Sequence, residues 1–179
     1  MGWKVKINKP EEDNSVSDDT NTAAPYDSTV DTLKHIRRVG ELMILVVSRL
    51  LERAIHHDNS KLLSPEKELF DKYTPLLKGS TYGSDEYSAI LSELKVALNH
   101  HYENNSHHPE HYIAGINDFD LFDLIEMLVD WKAATERHDD GDIYKSLPIN
   151  RDKFGISDQL YGILKNTVDR FPELRRMKE

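Results

Sequence analysis

The pair His57-Asp58 is the sequence feature that most constrains how this chain can fold. Imidazole and carboxylate groups on adjacent residues are ligand types that suit zinc, iron, manganese or nickel better than calcium. Adjacent side chains on an α-helix point about 100° apart, so both reach one ion only where a helix ends or bends. Asn59 and Ser60 favour such an end. The sequence therefore predicts a metal-binding helix terminus, with an ordinary polar helix end as the alternative.

The histidines of this chain are clustered. Eight of the nine fall in three groups along the sequence. These are His35; then His56 and His57; then His100, His101, His107, His108 and His111. Because the chain has no cysteine, any metal site must be built from His, Asp and Glu side chains. The grouping supports a metal centre assembled from distant segments.

Asp130 lies in an apolar setting, between Val129 and Trp131. A carboxylate among apolar side chains costs free energy by desolvation unless it is paired or bound to a metal ion. A salt bridge to Arg53 or Lys132 is the alternative explanation. We interpret Asp130 as a metal ligand because it follows the histidine groups along the chain.

The order His, His-Asp, His and Asp resembles the HD-domain superfamily of metal-dependent phosphohydrolases. The matching residues are His35, His57, Asp58 and Asp130, and Ser60-Lys61 is similar to the small residue and lysine that often follow the His-Asp pair. The pattern covers most of the chain, from about Thr29 to Trp131. Within the superfamily the chain is most similar to small, largely uncharacterised proteins of bacteria and phages. The shared segments are HDNSK, NNSHHPEHY and EMLVDWKAA.

The resemblance implies a metal site on His35, His57, Asp58 and Asp130. Helical phase adds His101, which falls on the apolar stripe of a predicted helix, and His107 or His108 can approach it after a turn at Asn104-Asn105. The other histidines of this segment are expected to orient ligands, to hold a second ion or to be solvated. They are His100, His108 and His111.

The function implied by the resemblance is hydrolysis of a nucleotide or related phosphate ester. One or two divalent transition-metal ions (Mn, Fe, Zn, Co or Ni) would activate the attacking water. Asp58 is expected to be the shared carboxylate of the site, and Lys61 to stabilise negative charge on the phosphate. Glu126 is expected to act as general base or to hold a ligand, with a surface position as the alternative.

Two other functions stay open. The histidine surplus also fits a His-rich di-iron oxygenase of HD type, which iron content and an oxygen requirement would distinguish from a hydrolase. The acidic linker and detached N-terminal peptide fit a non-catalytic, metal-stabilised binding or assembly protein. A coordination shell with no open position would favour that third function.

The sequence predicts an all-α fold, a single HD-type bundle of about six helices over residues 28–179. Residues 1–27 are interpreted as an extension, with a short strand at 3–7 and a flexible acidic linker. A helical stripe runs from Leu33 to Leu50. However, His35 and His57 are 22 residues apart, about 33 Å along a straight helix, so they can share an ion only if the chain reverses. We predict that reversal at residues 46–48, with Ser48 capping a second helix.

Composition limits the partners and the location of the protein. The formal net charge of −9 argues against a duplex nucleic acid as partner. No apolar run reaches the roughly 18 residues that a membrane span needs, and the N-terminus lacks the apolar core of a signal peptide. We expect a cytoplasmic protein whose partner is a small phosphorylated substrate, and the sequence leaves its oligomeric state open.

Overall fold

The computed structural model describes residues 26–79, 85–137 and 141–175. These residues form helices and turns without a strand, which confirms the all-α fold. The α-helices are α1 (Thr29–His56), α2 (Glu66–Gly79), α3 (Asp85–Asn104), α4 (Leu121–Thr135), α5 (Ile143–Phe154), α6 (Asp158–Arg170) and α7 (Pro172–Arg175). Short 3₁₀ turns occupy Asn59–Leu62, Pro109–His111 and Gly115–Asp118. The predicted strand at 3–7 and most of the predicted acidic linker lie outside the described residues.

The chain divides into two compact units, Met1–Leu42 and Met43–Glu179. The boundary between them falls within the residue range of α1. In the first unit, the Asp27 side chain accepts a hydrogen bond from the backbone N–H of Thr29, so a predicted cap residue does lie at the start of α1. The predicted limit of the domain near residue 28 stays a prediction.

The predicted chain reversal at residues 46–48 is wrong. α1 is one helix of 28 residues that runs through this region. Ser48 does not cap a second helix, because its hydroxyl donates to the carbonyl of Ile44 one turn earlier at 2.9 Å. The helical stripe in the sequence therefore predicted the element correctly. His35 could share an ion with His57 only if the chain reversed, so the prediction that His35 is a ligand beside His57 is wrong as well.

Two apolar clusters form the core of the second unit. The larger one joins α4, α5, α6 and α7, and Met127, Leu147 and Val168 are its most buried members. The smaller one is formed by Tyr73 of α2 with Ile90, Leu94 and Ala97 of α3. By contrast, α1 contributes no buried residue. The two clusters hold α2, α3 and α4, and the candidate site residues His101 and Asp130 lie on α3 and α4.

Local sequence signals explain most helix boundaries. The Asp120 side chain accepts from the N–H of Asp123, and Asp123 accepts from the N–H of Asp120, which is a capping box at the start of α4. The Ser157 hydroxyl caps α6 by accepting from the N–H of Leu160. α5 continues through Pro148, and its C-cap is Gly155, whose φ of 62° suits glycine.

No helix of the described residues has both the length and the apolar character that crossing a membrane requires.

Candidate metal centre

Four segments of the second unit bring ligand-type side chains together. His57 and Asp58 follow the end of α1, and His101 lies in the last turn of α3. His107 and His108 lie in the turn after α3, and Asp130 lies on α4. These six residues are all predicted site residues that the structure places near one another.

Asp58 ends α1 and turns its carboxylate into the site. Its backbone has φ 57° and ψ 16°, the left-handed conformation. It is the residue other than glycine with positive φ in the described part of the chain. Asp tolerates this conformation better than most residues, which explains how the chain leaves the helix here. The predicted helix terminus at His57-Asp58 is therefore confirmed.

The two oxygens of Asp58 face different partners. Oδ1 lies 3.2 Å from Nε2 of His101 and 3.5 Å from Nε2 of His107. Oδ2 lies 3.4 Å from Nε2 of His57 and 2.6 Å from Nζ of Lys61. Oδ1 of Asp58 and Nε2 of His107 are buried and have no hydrogen-bond partner among the described residues. Buried polar atoms are rarely left in this state, so their convergence fits a bound cation.

Within the part of the chain that the structure describes, three groups of side chains have the geometry to hold an ion. In each group, one ligand atom per residue lies within 4.8 Å of the others. The groups are Asp58, His101, His107 and His108; His57, Asp58 and Asp130; and His57, His107 and Glu126. Asp58 belongs to the first two, so its carboxylate is placed to be shared between two neighbouring ions. Histidine and carboxylate ligands without sulfur suit divalent transition metals.

Glu126 holds two of the histidines in place. Its Oε1 lies 2.8 Å from Nδ1 of His57 and 3.1 Å from Nδ1 of His107. When Nδ1 donates to a carboxylate, Nε2 is left free as a metal ligand. Oε2 of Glu126 accepts from Nε of Arg53 at 2.5 Å. Its environment therefore favours the predicted role of holding a ligand over a surface position.

The charges in this cluster shift the acid–base behaviour of its members. The carboxylates of Asp130 and Glu126 raise the pKa of His57 to about 10. Burial opposes ionisation of Asp58, but His101 and Lys61 outweigh it and hold its pKa far below the usual range. Burial, reinforced by the neighbouring His107, lowers the pKa of His108 to about 3. The metal-free site thus keeps ionised carboxylates beside a neutral His108.

Asp130 is not paired with either of the cations considered from the sequence. Its Oδ1 lies 3.7 Å from Nε2 of His57. Arg53 instead pairs with Asp123 and Glu126, at 2.7 and 2.5 Å, and Lys132 lies 2.7 Å from Glu136. Asp130 therefore faces the histidine cluster.

The remaining predicted site residues lie at different distances from this cluster. His35 is exposed on α1, in the first compact unit, and is not among the groups described above. His111 is exposed, and its Nδ1 lies 2.7 Å from the carbonyl of Tyr102. His100 contacts Glu66 rather than the ligand groups. Lys61 lies within the site through its contact with Asp58.

Sequence reasoning missed three residues that support the site. Glu66 is fully buried against His100 and His101. Asp123 is buried and accepts a hydrogen bond from Arg53. Of the three, only Arg53 could have been found from the sequence, because it is a cation on the helix that leads into the His-Asp pair.

These observations define the class of the protein as an all-α protein with a candidate metal centre of histidines and carboxylates. The chain belongs to a family of unknown function, DUF5662, whose model matches residues 24–170. No match was found among the curated proteins or among the solved structures. The resemblance to the HD-domain superfamily stays a prediction.

Proposed function

We propose that the protein is a metal-dependent phosphohydrolase that acts on a nucleotide or related phosphate ester. The observation that carries the proposal is the convergence of unpartnered, buried ligand atoms on Asp58 and His107 with a lysine beside them. A divalent ion bound there lowers the pKa of a water molecule and polarises a phosphoryl oxygen. Resemblance to the HD-domain superfamily points to the same reaction class.

The chain supplies the other groups that such a reaction needs. Lys61 is about one-third exposed, so its ammonium group can contact an incoming anion as well as Asp58. A positive charge there stabilises negative charge that develops on the phosphate oxygens. Glu126 already accepts from two histidines and from Arg53, so it positions ligands instead of moving a proton.

A cleft beside the site offers room for the organic part of a substrate. It has a volume of about 360 Å³, within the range of small-molecule sites. Its walls include Leu50, Ile125 and Val129, and His57 and Asp130 lie at its edge. An apolar wall beside candidate metal ligands suits a phosphate ester that carries a base or another apolar group.

Solvent access favours catalysis over a purely structural metal site. His101 and His107 are 2% exposed, whereas His57 and Asp130 are 31% and 21% exposed. A structural ion is normally enclosed by its ligands, while a catalytic ion keeps an open position. Because some candidate ligands are buried and others are accessible to solvent, the cluster has one side that a substrate can reach. It counts against the non-catalytic binding protein.

The experiment combines metal analysis with a screen of phosphorylated compounds. The purified protein is loaded with Mn²⁺, Co²⁺ or Zn²⁺, and phosphate release is measured from nucleoside mono- and triphosphates and from an aryl phosphate. We expect release that chelator abolishes. Asp130→Asn should reduce it at least about 100-fold because a ligand charge is lost, whereas Asp152→Asn on exposed α5 surface should not. A loaded wild-type protein that releases no phosphate from any compound would overturn the proposal.

A di-iron oxygenase is the second candidate, and one observation favours it. The group of Asp58, His101, His107 and His108 contains three imidazoles, and imidazole ligands suit iron as well as zinc. Protein purified without oxygen and loaded with Fe²⁺ would then consume dioxygen when a substrate is added. Phosphate release supported equally by Zn²⁺, which has no redox chemistry, would exclude this reading.

A further inference from the structure

Glu66 is a fully buried carboxylate that the proposed reaction does not use. It is the first residue of α2 and is 0% exposed. Its two oxygens contact two adjacent histidines of α3: Oε1 lies 2.7 Å from Nδ1 of His100, and Oε2 lies 2.9 Å from Nδ1 of His101. Burying a carboxylate costs free energy unless donors surround it. The two imidazole nitrogens meet that need only if they carry hydrogen.

The neighbouring polar groups are also consistent with a hydrogen on Nδ1 of His101. The Ser60 hydroxyl and Asn105 also lie near this ring, with the hydroxyl oxygen 3.2 Å and the Asn105 amide nitrogen 3.1 Å from Nδ1. That amide has two hydrogens, and they have better acceptors: the hydroxyl of Ser60 at 2.8 Å and the backbone carbonyl of His101 at 2.7 Å. A carboxylate oxygen accepts hydrogen bonds, so the short contact between Oε2 of Glu66 and His101 assigns the hydrogen to Nδ1.

The opposite nitrogen of His101 faces the metal centre. Nε2 lies 3.2 Å from Oδ1 of Asp58 and 2.9 Å from Nε2 of His108. A hydrogen fixed on Nδ1 leaves Nε2 as the nitrogen whose lone pair can bind an ion. Carboxylates that hold a ligating histidine in this way orient the ring and strengthen the ligand.

We propose that Glu66 is the positioning residue of the metal centre, which fixes hydrogen on Nδ1 of His101 and presents Nε2 to the ion. The proposal rests on the proposed function, because it assumes the metal site. Two glutamates then have the same role in the centre. Glu126 holds His57 and His107 through their Nδ1 atoms from α4, and Glu66 holds His101 from α2.

The hydrogen on His101 can be observed directly in the full-length protein. A two-bond ¹H–¹⁵N correlation spectrum distinguishes the two ring nitrogens of each histidine. We expect Nδ1 of His101 to carry hydrogen in metal-free protein, and to keep it while Nε2 binds Zn²⁺ in loaded protein. A bare Nδ1 with hydrogen only on Nε2 would overturn the proposal, and this measurement needs no variant that could fail to fold.

The effect on metal binding is tested with Glu66→Gln and its matched control, Glu68→Gln. Glu68 lies on the same helix and is exposed. Glu66→Gln should weaken Co²⁺ binding about 10- to 100-fold, as loss of such partners does, and should change the cobalt absorption spectrum. Glu68→Gln should bind as wild type does. Unchanged affinity and spectrum in a folded Glu66→Gln protein would overturn the proposal.

These readouts separate the two proposals. Wild-type protein that binds Zn²⁺ and Co²⁺ as described but releases no phosphate would overturn the hydrolase while supporting Glu66 as a positioning residue. Wild-type protein that binds neither ion would overturn both.

Discussion

Asp58 combines two unusual properties in one residue. It holds a left-handed backbone conformation at the end of α1, and its two carboxylate oxygens face two different sets of histidines. The backbone property matters for experiments, because a residue such as alanine is strained at positive φ. Asparagine tolerates that conformation and keeps the shape of the side chain, so it tests the charge alone.

We expect Asp58→Asn to fold and to lose most of its metal. The variant removes the negative charge shared by two ligand groups, and metal affinity should fall by at least about tenfold. Metal content per chain, measured after loading and desalting, checks this. Asp71→Asn is the control, because Asp71 is an exposed partner of Lys67. Full metal occupancy in Asp58→Asn would contradict the shared-ligand role.

Lys61→Met separates phosphate contact from metal binding. Lys61 lies 2.6 Å from Oδ2 of Asp58, so its removal frees that oxygen and should leave metal content equal or higher. Turnover should fall about 10- to 100-fold if the ammonium group stabilises the reacting phosphate. Lys67→Met, which removes an exposed ion pair on α2, should change neither quantity. Loss of metal with Lys61→Met would show that the lysine supports the ligand shell instead.

At the residue scale, the sequence predicted which residues come together in the candidate site better than it predicted the contacts that support them. The ligand types of His57, Asp58 and Asp130 could be read from their order and from the apolar setting of Asp130. The partners of Glu66 could not, because a buried acid and an exposed acid in a first helical turn have the same local sequence signal. Its burial depends on how α2 packs against α3, a tertiary contact that no spacing rule predicts.

Arg53 connects the second-unit part of α1 to α4. It is 13% exposed and contacts Asp123 at 2.7 Å and Glu126 at 2.5 Å. Asp123 also accepts from Ser106 and Tyr112. This network places Glu126 against the two histidines, so the stability of the helix pair and the orientation of the ligands depend on the same arginine.

Arg53→Met should destabilise the protein by about 3–5 kcal/mol, because it leaves the buried carboxylate of Asp123 without its cation and removes the guanidinium group from Glu126. Arg49→Met is the matched control one turn earlier on the same helix. Its ion pair with Glu52 is more than half exposed, so that change should cost less than about 1 kcal/mol. Urea unfolding of both metal-free variants measures the difference. Equal free energies of unfolding would contradict the role given to Arg53.

At the scale of the helices, the spacing of apolar residues predicted α1 more reliably than the assumption of a shared metal ion did. The apolar stripe of α1 predicted one continuous helix, and we expected a reversal only because His35 was assumed to share an ion with His57. The serine at position 48 fitted either outcome, since a hydroxyl can cap a helix or donate to the preceding turn.

At the scale of the whole molecule, the candidate ligands come from segments that are distant in sequence. His57, His101 and Asp130 belong to three different helices or helix ends, and the two core clusters hold α3 and α4 but include no residue of α1. The all-α class could be predicted from helical periodicity and caps. The convergence could be predicted only through the assumption of a shared ion, because no local signal encodes how the helices pack.

A bound ion that joins these segments should stabilise the folded protein. At an ion concentration of about 100 times Kd, binding contributes about 2.7 kcal/mol, or roughly 5–10 °C in Tm for a chain of this size. Thermal melts with Zn²⁺ and with chelator measure the gain. Asp130→Asn should lose it, whereas Asp152→Asn should keep it.

The increase in Tm that a bound ion produces should become larger as pH rises from 6 to 8. The pKa of His57 is raised to about 10 in the metal-free protein, so this histidine keeps its proton across that range. Its contribution to metal-free stability is complete below its unfolded pKa of about 6.5 and is lost progressively as pH rises towards 10. An ion that binds the neutral ring must expel the proton, so apparent affinity rises up to tenfold per pH unit. The metal-free Tm should therefore fall and the metal-induced gain increase together. A gain that is independent of pH would show that His57 is not a ligand, and would confine the ion to Asp58, His101, His107 and His108.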